Sequence, residues 1–200
     1  MGILERRLRQ KVEVKTSILQ AAWQLVLEEG WQALSIRKIA DAIEYSVPVI
    51  YSHFENKDAI LQEFTREGFQ LLTEEVIWQR DTKIEASQQL EAIAQGYWDF
   101  AFTHKEFYQL MFGLGIPRCE QVNQVAEIKQ FSGVLIGVIQ EVISSSKQPK
   151  VDAFLKFHTY WSILHGLVSI QMIDSNSTAN PWSQLVLKDA IDGYIKALNG

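Results

Sequence analysis

Apolar residues recur at helical spacing along the whole of this 200-residue chain. Ile18, Ala22, Leu25 and Val26 follow an i, i+4, i+7, i+8 pattern that stops at Gly30, which predicts a first helix from near Glu5 to the residue before that glycine. Ser35 is a good N-cap for a short helix from Ile36 to Ile43, although Lys38 stands where a capping box would place Glu. Ser46 is a second N-cap, and Pro48 falls in the first turn behind it, where a missing amide proton costs nothing. Reading Val47–Tyr51 as a strand would put Pro48 in mid-ladder, so a helix over 47–53 is preferred. Asn56 caps the next helix, with Asp58 in its first turn and the apolar series Leu61, Phe64, Leu71, Leu72 and Val76 running on.

Further helices are expected over about 83–103, 104–112, 120–145, 150–174 and 182–198. The breaks between them carry turn chemistry: Gly113, Gly115 and Pro117, then Ser144 to Pro149, then Asp174 to Pro181. Nine helices and no strand pair predict an all-α protein. Its expected division is a helix-turn-helix unit over 1–57 and a larger helical body over 58–200, linked by the helix that begins near Lys57.

Two short helices joined by a three-residue turn, behind a longer amphipathic one, form a helix-turn-helix pattern, in which the second helix enters the major groove. Spacing alone leaves open a small helical bundle with no nucleic-acid role. On the first reading, the Ser35 and Ser46 caps leave helix N-termini facing phosphates, and Arg37, Tyr51, His53 and Lys57 donate to the backbone.

Composition narrows the partners. With 47% apolar and 22% charged residues the chain is of ordinary globular type, and its net charge of −5 argues against coating nucleic acid by bulk electrostatics. The charge is uneven, however: residues 1–57 hold eight Lys or Arg against seven acids, and Arg6, Arg7, Arg9 and Lys11 cluster in the first eleven residues beside one acid, Glu5. A polyanion contact is therefore expected from the N-terminal quarter, the alternative being a solvated basic stretch. One cysteine, Cys119, excludes an intramolecular disulfide or a multi-cysteine zinc site and fits a cytoplasmic location. The basic start is followed by no apolar signal-peptide core. Phe157–Ile173 is too short and polar for a membrane span, so no membrane partner is expected.

The segments Ile18-Leu19-Gln20-Ala21-Ala22, Glu29-Gly30-Trp31, Leu34-Ser35-Ile36-Arg37-Lys38-Ile39-Ala40 and Ser46 to Lys57, with Ile50-Tyr51-x-His53-Phe54-x-Asn56-Lys57 as the most specific, resemble the DNA-binding domain of the TetR family, the tetracycline-repressor-like regulators. The resemblance implies phosphate contacts at Tyr51 and Lys57, base reading by Val47, Pro48 and Val49, and additional contacts from Arg37 and His53. Two departures stand out. Glu44 and Tyr45 occupy a turn where the family usually has Gly-Val, and Val47 and Val49 carry no hydrogen-bonding groups, so base reading would lean on thymine methyls, Arg37 and DNA shape.

In the larger body, Val151–Ile173 is apolar nearly all round, with Phe154, Phe157, Trp161, Leu164 and Val168 on one arc and Leu155, Ile163, Leu167 and Ile170 on another. The last helix has only a narrow polar stripe. Both need covering on two sides, so a homodimer through a four-helix interface is expected, using Phe157, Leu164, Val168, Val186, Ala190, Ile191 and Tyr194; a well-buried monomer core is the alternative. The runs Trp161-Ser162-Ile163-Leu164-His165-Gly166 and Phe107 to Gly113 are similar to the C-terminal domain of a TetR subgroup with a Trp-x-x-x-His-Gly pattern.

That resemblance implies an effector pocket among Trp98, Phe102, Tyr108, Met111, Phe112, Phe131, Trp161 and His165, with His165 either facing the cavity or holding a buried hydrogen bond. Core packing explains most of these aromatics equally well. Gly133 and Gly137 read as a close helix crossing or as room for a ligand.

Neither metal nor cofactor is expected: His158 and His165 are seven apart, about 10.5 Å along a helix, and no nucleophile elbow, zinc-protease motif or phosphate loop is present. The expected activity is therefore that of a homodimeric, ligand-released repressor on a palindromic double-stranded DNA operator, not an enzyme. A helical adaptor without DNA binding is the alternative.

Overall fold

The structure, a computed structural model, describes residues 2–113, 126–147, 150–173 and 181–200. Among these are nine α-helices, one 3-10 turn and no strand. The expected Cys119 and the first six residues of the predicted 120–145 helix lie outside the described residues, as does most of the 174–181 break.

Helix α1 (Ile3–Glu29) ends at Gly30, whose φ of 81° turns the chain into a 3-10 turn at Trp31–Ala33. Helix α2 (Ile36–Ala42) is capped by the Ser35 hydroxyl, which accepts from the Lys38 amide at 3.2 Å. Its other end is a Schellman motif: the Tyr45 amide donates to the Ala40 carbonyl at 3.0 Å and the Glu44 amide to that of Asp41 at 3.3 Å. This geometry needs a left-handed residue, and Glu44 supplies it with φ 57°. The departure from glycine seen in the sequence is thus absorbed as local strain without a change of turn.

Helix α3 (Val47–Tyr51) is shorter than the expected 47–53, because the His53 and Phe54 amides both converge on the Ile50 carbonyl and close the helix. Ser46 stands at the N-cap in an extended conformation, but its side chain makes no capping bond, which corrects the sequence expectation: Pro48 already removes one of the orphan amides.

Helix α4 (Lys57–Asp81), capped by Asn56 Oδ1 at 2.9 Å from the Ala59 amide, is the long element shared by the two halves. Behind it follow α5 (Ala86–Thr103), α6 (Lys105–Phe112), α7 (Ala126–Ser145), α8 (Ala153–Ile173) and α9 (Pro181–Asn199). Helix α4 packs on α5, α6 and α7, and α8 and α9 close the body against α5 and α7. Gly68 on α4 lets α6 approach: a Cβ there would stand 2.5 Å from Met111 Sδ and 3.2 Å from Phe107 Cδ1. Gly133 and Gly137 behave otherwise. Both are exposed, with no atom within 4 Å of where a Cβ would sit, so they mark no helix crossing.

Candidate nucleic-acid interface and effector chamber

The short helices expose one surface because their apolar residues are consumed by the other. Ile39, Ala40, Ile50 and Phe54 are buried, and so hold α2 and α3 at a set angle against α1. What remains outside is Arg37, Ser46, Pro48 and Tyr51, with Val47 and Val49 half-buried at the base of α3. Val47 also packs on the core, so only part of its side chain is free for a base edge. Lys57, half-buried at the start of α4, follows the Asn56 cap.

His53 is half-buried, and desolvation first, then the charges of Lys11 and Lys15, hold its imidazole below the ordinary range. It is therefore part of a basic corner with α1. One residue absent from the sequence expectation joins the surface: Tyr45, exposed beside the N-terminus of α3, brings a hydroxyl to a helix whose own reading residues have none. Its place in the Schellman turn, visible only after folding, aims it there.

A second set of contacts joins this unit to the rest. Trp23 of α1 stacks on Phe107 of α6, with centroids 4.3 Å apart and planes at 24°, and both meet Phe64 of α4. Trp31 completes the cluster and donates its Nε1–H to the Glu106 carbonyl at 2.8 Å. Lys15 Nζ pairs with Glu63 Oε1 at 2.8 Å, tying α1 to α4 a second time.

The next residue of α6 belongs to the interior of the body. The Tyr108 hydroxyl lies 3.0 Å from that of Tyr97 and 2.8 Å from His165 Nδ1, whose Nε2 is 3.4 Å from Ser169 Oγ. Burial pushes both phenols well above their usual range and His165 below its own, so all three groups are neutral near pH 7. Phe112, Phe131 and Trp161 surround this chain of hydroxyls, and the buried Trp161 Nε1 has no hydrogen-bond partner.

Of the eight pocket residues named from sequence, Tyr108, Phe112, Phe131, Trp161 and His165 form this one cluster. Trp98 and Phe102 pair with each other at 4.8 Å outside it, and Met111 lies in the α4–α6 seam at Gly68. Tyr97, which sequence reading passed over, takes a central position. A separate cavity of about 350 Å³ opens between α5 and α9, lined by Glu91, Gln95, Gln184, Lys188 and Asp192 together with Leu185 and Ile191; of the named residues it touches only Ile191.

The residues expected at a subunit interface divide. Phe157, Leu164, Val168, Ile191 and Tyr194 are buried within the chain's own core, so they are not free to meet a partner; Tyr194 also donates to the Lys156 carbonyl at 2.9 Å. Val186 is exposed and Ala190 half-exposed. The apolar surface left open lies on the opposite arc of α8, at Leu155 (61% exposed) and Ile170 (70%), and on α9 at Trp182, Leu185 and Val186. Periodicity identified two apolar arcs on α8 but could not say which one the chain itself would cover.

This architecture, a short helix-turn-helix unit joined through one long helix to a helical body, is that of a bacterial transcriptional regulator. The model described as bacterial regulatory proteins, tetR family, matches residues 18–64, and that of the tetracyclin repressor-like C-terminal domain matches residues 90–180. Together they span more than half of the chain, which belongs to the TetR family of transcriptional regulators.

The chain is 24% identical over 184 residues to the HTH-type transcriptional activator FasR of Mycolicibacterium smegmatis, covering 92% of this chain and 80% of that protein. Among solved structures, a Rhodococcus sp. RHA1 protein of unknown function superposes with a TM-score of 0.76 at 21% identity, covering 93% of this chain and 95% of the other. The transcriptional regulator FadR of Bacillus subtilis, solved with stearoyl-CoA, gives 0.68 at 17% identity, covering 92% and 97%. No described helix is long and apolar enough to cross a membrane.

Proposed function

We propose that the protein acts as a homodimer on a palindromic operator, with α3 in the major groove of each half-site and release governed by a mostly apolar small molecule held in the C-terminal body. The observation that carries this reading is the division of α2 and α3 into a buried face of Ile39, Ile50 and Phe54 and an outer face of Arg37, Pro48 and Tyr51. Tyr51 and Lys57 contact phosphates; Val47, Pro48, Val49 and Tyr45 meet base edges. The exposed arc of α8 with Trp182 and Val186 of α9 forms the dimer face, which fixes the spacing of the two recognition helices at about 34–36 Å.

The Tyr97–Tyr108–His165 cluster, with Phe112, Phe131 and Trp161, receives the effector, and the body is of the Trp-x-x-x-His-Gly type. The likeness to a stearoyl-CoA-bound regulator supports a long acyl chain as its apolar part. Occupancy of an operator by the free dimer blocks polymerase access, so repression is the reading adopted. A reporter that falls on deletion of the protein would reverse that sign.

The deciding experiment selects duplexes from random DNA with the purified protein. An inverted repeat is expected, bound with a steep salt dependence and lost in Tyr51→Ala/Lys57→Ala while fold and dimer persist. Unchanged affinity in that variant, or no binding at low salt, overturns the reading and leaves a helical adaptor.

A further inference from the structure

Helix α1 is longer than the domain that it serves. Its second half packs through Ile18, Ala22 and Val26, all 2% exposed or less, whereas every described side chain from Leu4 to Glu13 is exposed. The tetR-family match begins at residue 18, so nothing in it assigns a role to these first turns.

The face that packs does not end at Ile18. Arg7 and Lys11 stand eleven and seven residues before it, close to whole numbers of helical turns, so they continue the side of α1 that faces the domain. Lys15, the next step of the same ridge, is anchored by Glu63 and lies 5.5 Å over the Phe54 ring. Lys11 and Lys15 both act on His53, just beyond α3. The ridge therefore starts at the edge of the DNA-facing surface and runs outward from it. From Lys11 to Leu4 the overhang is about 10 Å at the helical rise.

Arg7, Lys11 and Lys15 are like charges at i, i+4 spacing, an arrangement that destabilises an isolated helix by a few tenths of a kcal/mol per pair. Among the described residues no carboxylate pairs with Arg7 or Lys11, and the one nearby acid in the first turn, Glu5, accepts from the Gly2 amide at 2.9 Å. Leu4, Leu8 and Val12, exposed by 72, 57 and 64%, line the same flank. A basic ridge bordered by apolar side chains and rooted beside a recognition helix matches the edge of a duplex, where phosphates alternate with deoxyribose.

We infer that the first turns of α1 are a second DNA-contacting element, in which Arg7 and Lys11 grip backbone phosphates flanking the segment read by α3. The inference rests on the operator-binding reading above. An anionic membrane would suit the same charges, but the ridge leads to His53 and α3, which a bilayer would leave unused.

The test compares the full-length protein with Arg7→Ala/Lys11→Ala on a selected operator carrying flanking DNA. Both side chains are exposed, so thermal midpoints are expected to agree. The slope of log affinity against log salt should fall by about 1.8 in the variant, so that between 50 and 200 mM salt the wild type weakens about twelve-fold more. Hydroxyl-radical protection should retract from the flanks. Equal slopes and equal footprints on a duplex that both proteins bind overturn this inference alone, whereas a wild type that binds no duplex overturns it together with the operator reading. Sedimentation with phosphatidylglycerol vesicles that is lost in the variant, while the DNA slope stays the same, also overturns it and reassigns the ridge to a membrane surface.

Discussion

The indole of Trp31, at the end of the DNA-binding unit, donates to the backbone carbonyl of Glu106 at 2.8 Å across 75 residues of sequence. Glu106 opens a run of three with distinct engagements: its carbonyl holds Trp31, Phe107 stacks on Trp23, and the Tyr108 hydroxyl meets Tyr97 and His165. One turn of α6 thus touches the helix-turn-helix unit and the interior of the body at once, and Gly68 holds that turn against α4. A ligand that displaces Tyr108 acts on DNA affinity only so far as it favours one placement of this turn over another.

Trp31→Phe keeps a ring in the cluster and leaves the Glu106 carbonyl without its donor, at an expected cost of about 1–3 kcal/mol. Phe107→Ala removes the stacked, buried ring and costs more, about 3–5 kcal/mol. Urea unfolding of both variants checks the order. A Phe107→Ala loss below that of Trp31→Phe would show that the seam is not a packed joint.

Glu44→Gly should stabilise the protein by about 0.5–1 kcal/mol. A side chain at φ 57° pays the left-handed penalty, which glycine avoids while giving back part of the gain as chain entropy. A lower urea midpoint in this variant would mean that the Glu44 side chain contributes more than its backbone costs.

DNA binding should tighten as pH falls from about 7 toward 6, through His53. Desolvation, Lys11 and Lys15 hold its pKa below 6.5 in the free protein, and phosphate oxygens beside it favour the imidazolium, so the complex takes up protons as it forms. The expected slope of log affinity against pH approaches −1 at most, and His53→Gln should flatten it. Folding carries the opposite sign: His53 and His165 both have lowered native pKa values, so the unfolded chain binds the extra protons, and stability present above pH 6.5 declines as the pH falls through the native values. A binding profile that rises with pH would remove His53 from the interface.

Much of the DNA-facing unit was legible in the sequence because its determinants are local. Ser35 and Asn56 cap their helices by bonds three residues long, and Pro48 sits within the first turn of α3. Ser46 shows the limit, since residue type and spacing suited a cap whose hydroxyl bond does not form. The body was harder to read. Its aromatics are so evenly spread that periodicity could not separate the Tyr108–Phe112–Phe131–Trp161–His165 cluster from the Trp98–Phe102 pair, and Tyr97 gave no signal apart from lying beside Trp98.

By itself, the order of residues determined the helical class, the helix starts and stops, and the position of the helix-turn-helix, because capping, proline and glycine chemistry and the 3.6-residue period act within one or two turns of chain. Which arc of α8 the protein keeps for itself, which glycine admits another helix, and that Trp31 would find Glu106 were decided only by the tertiary structure. Those outcomes depend on what arrives from distant sequence to cover a face, and an apolar side chain is equally ready for any neighbour that excludes water.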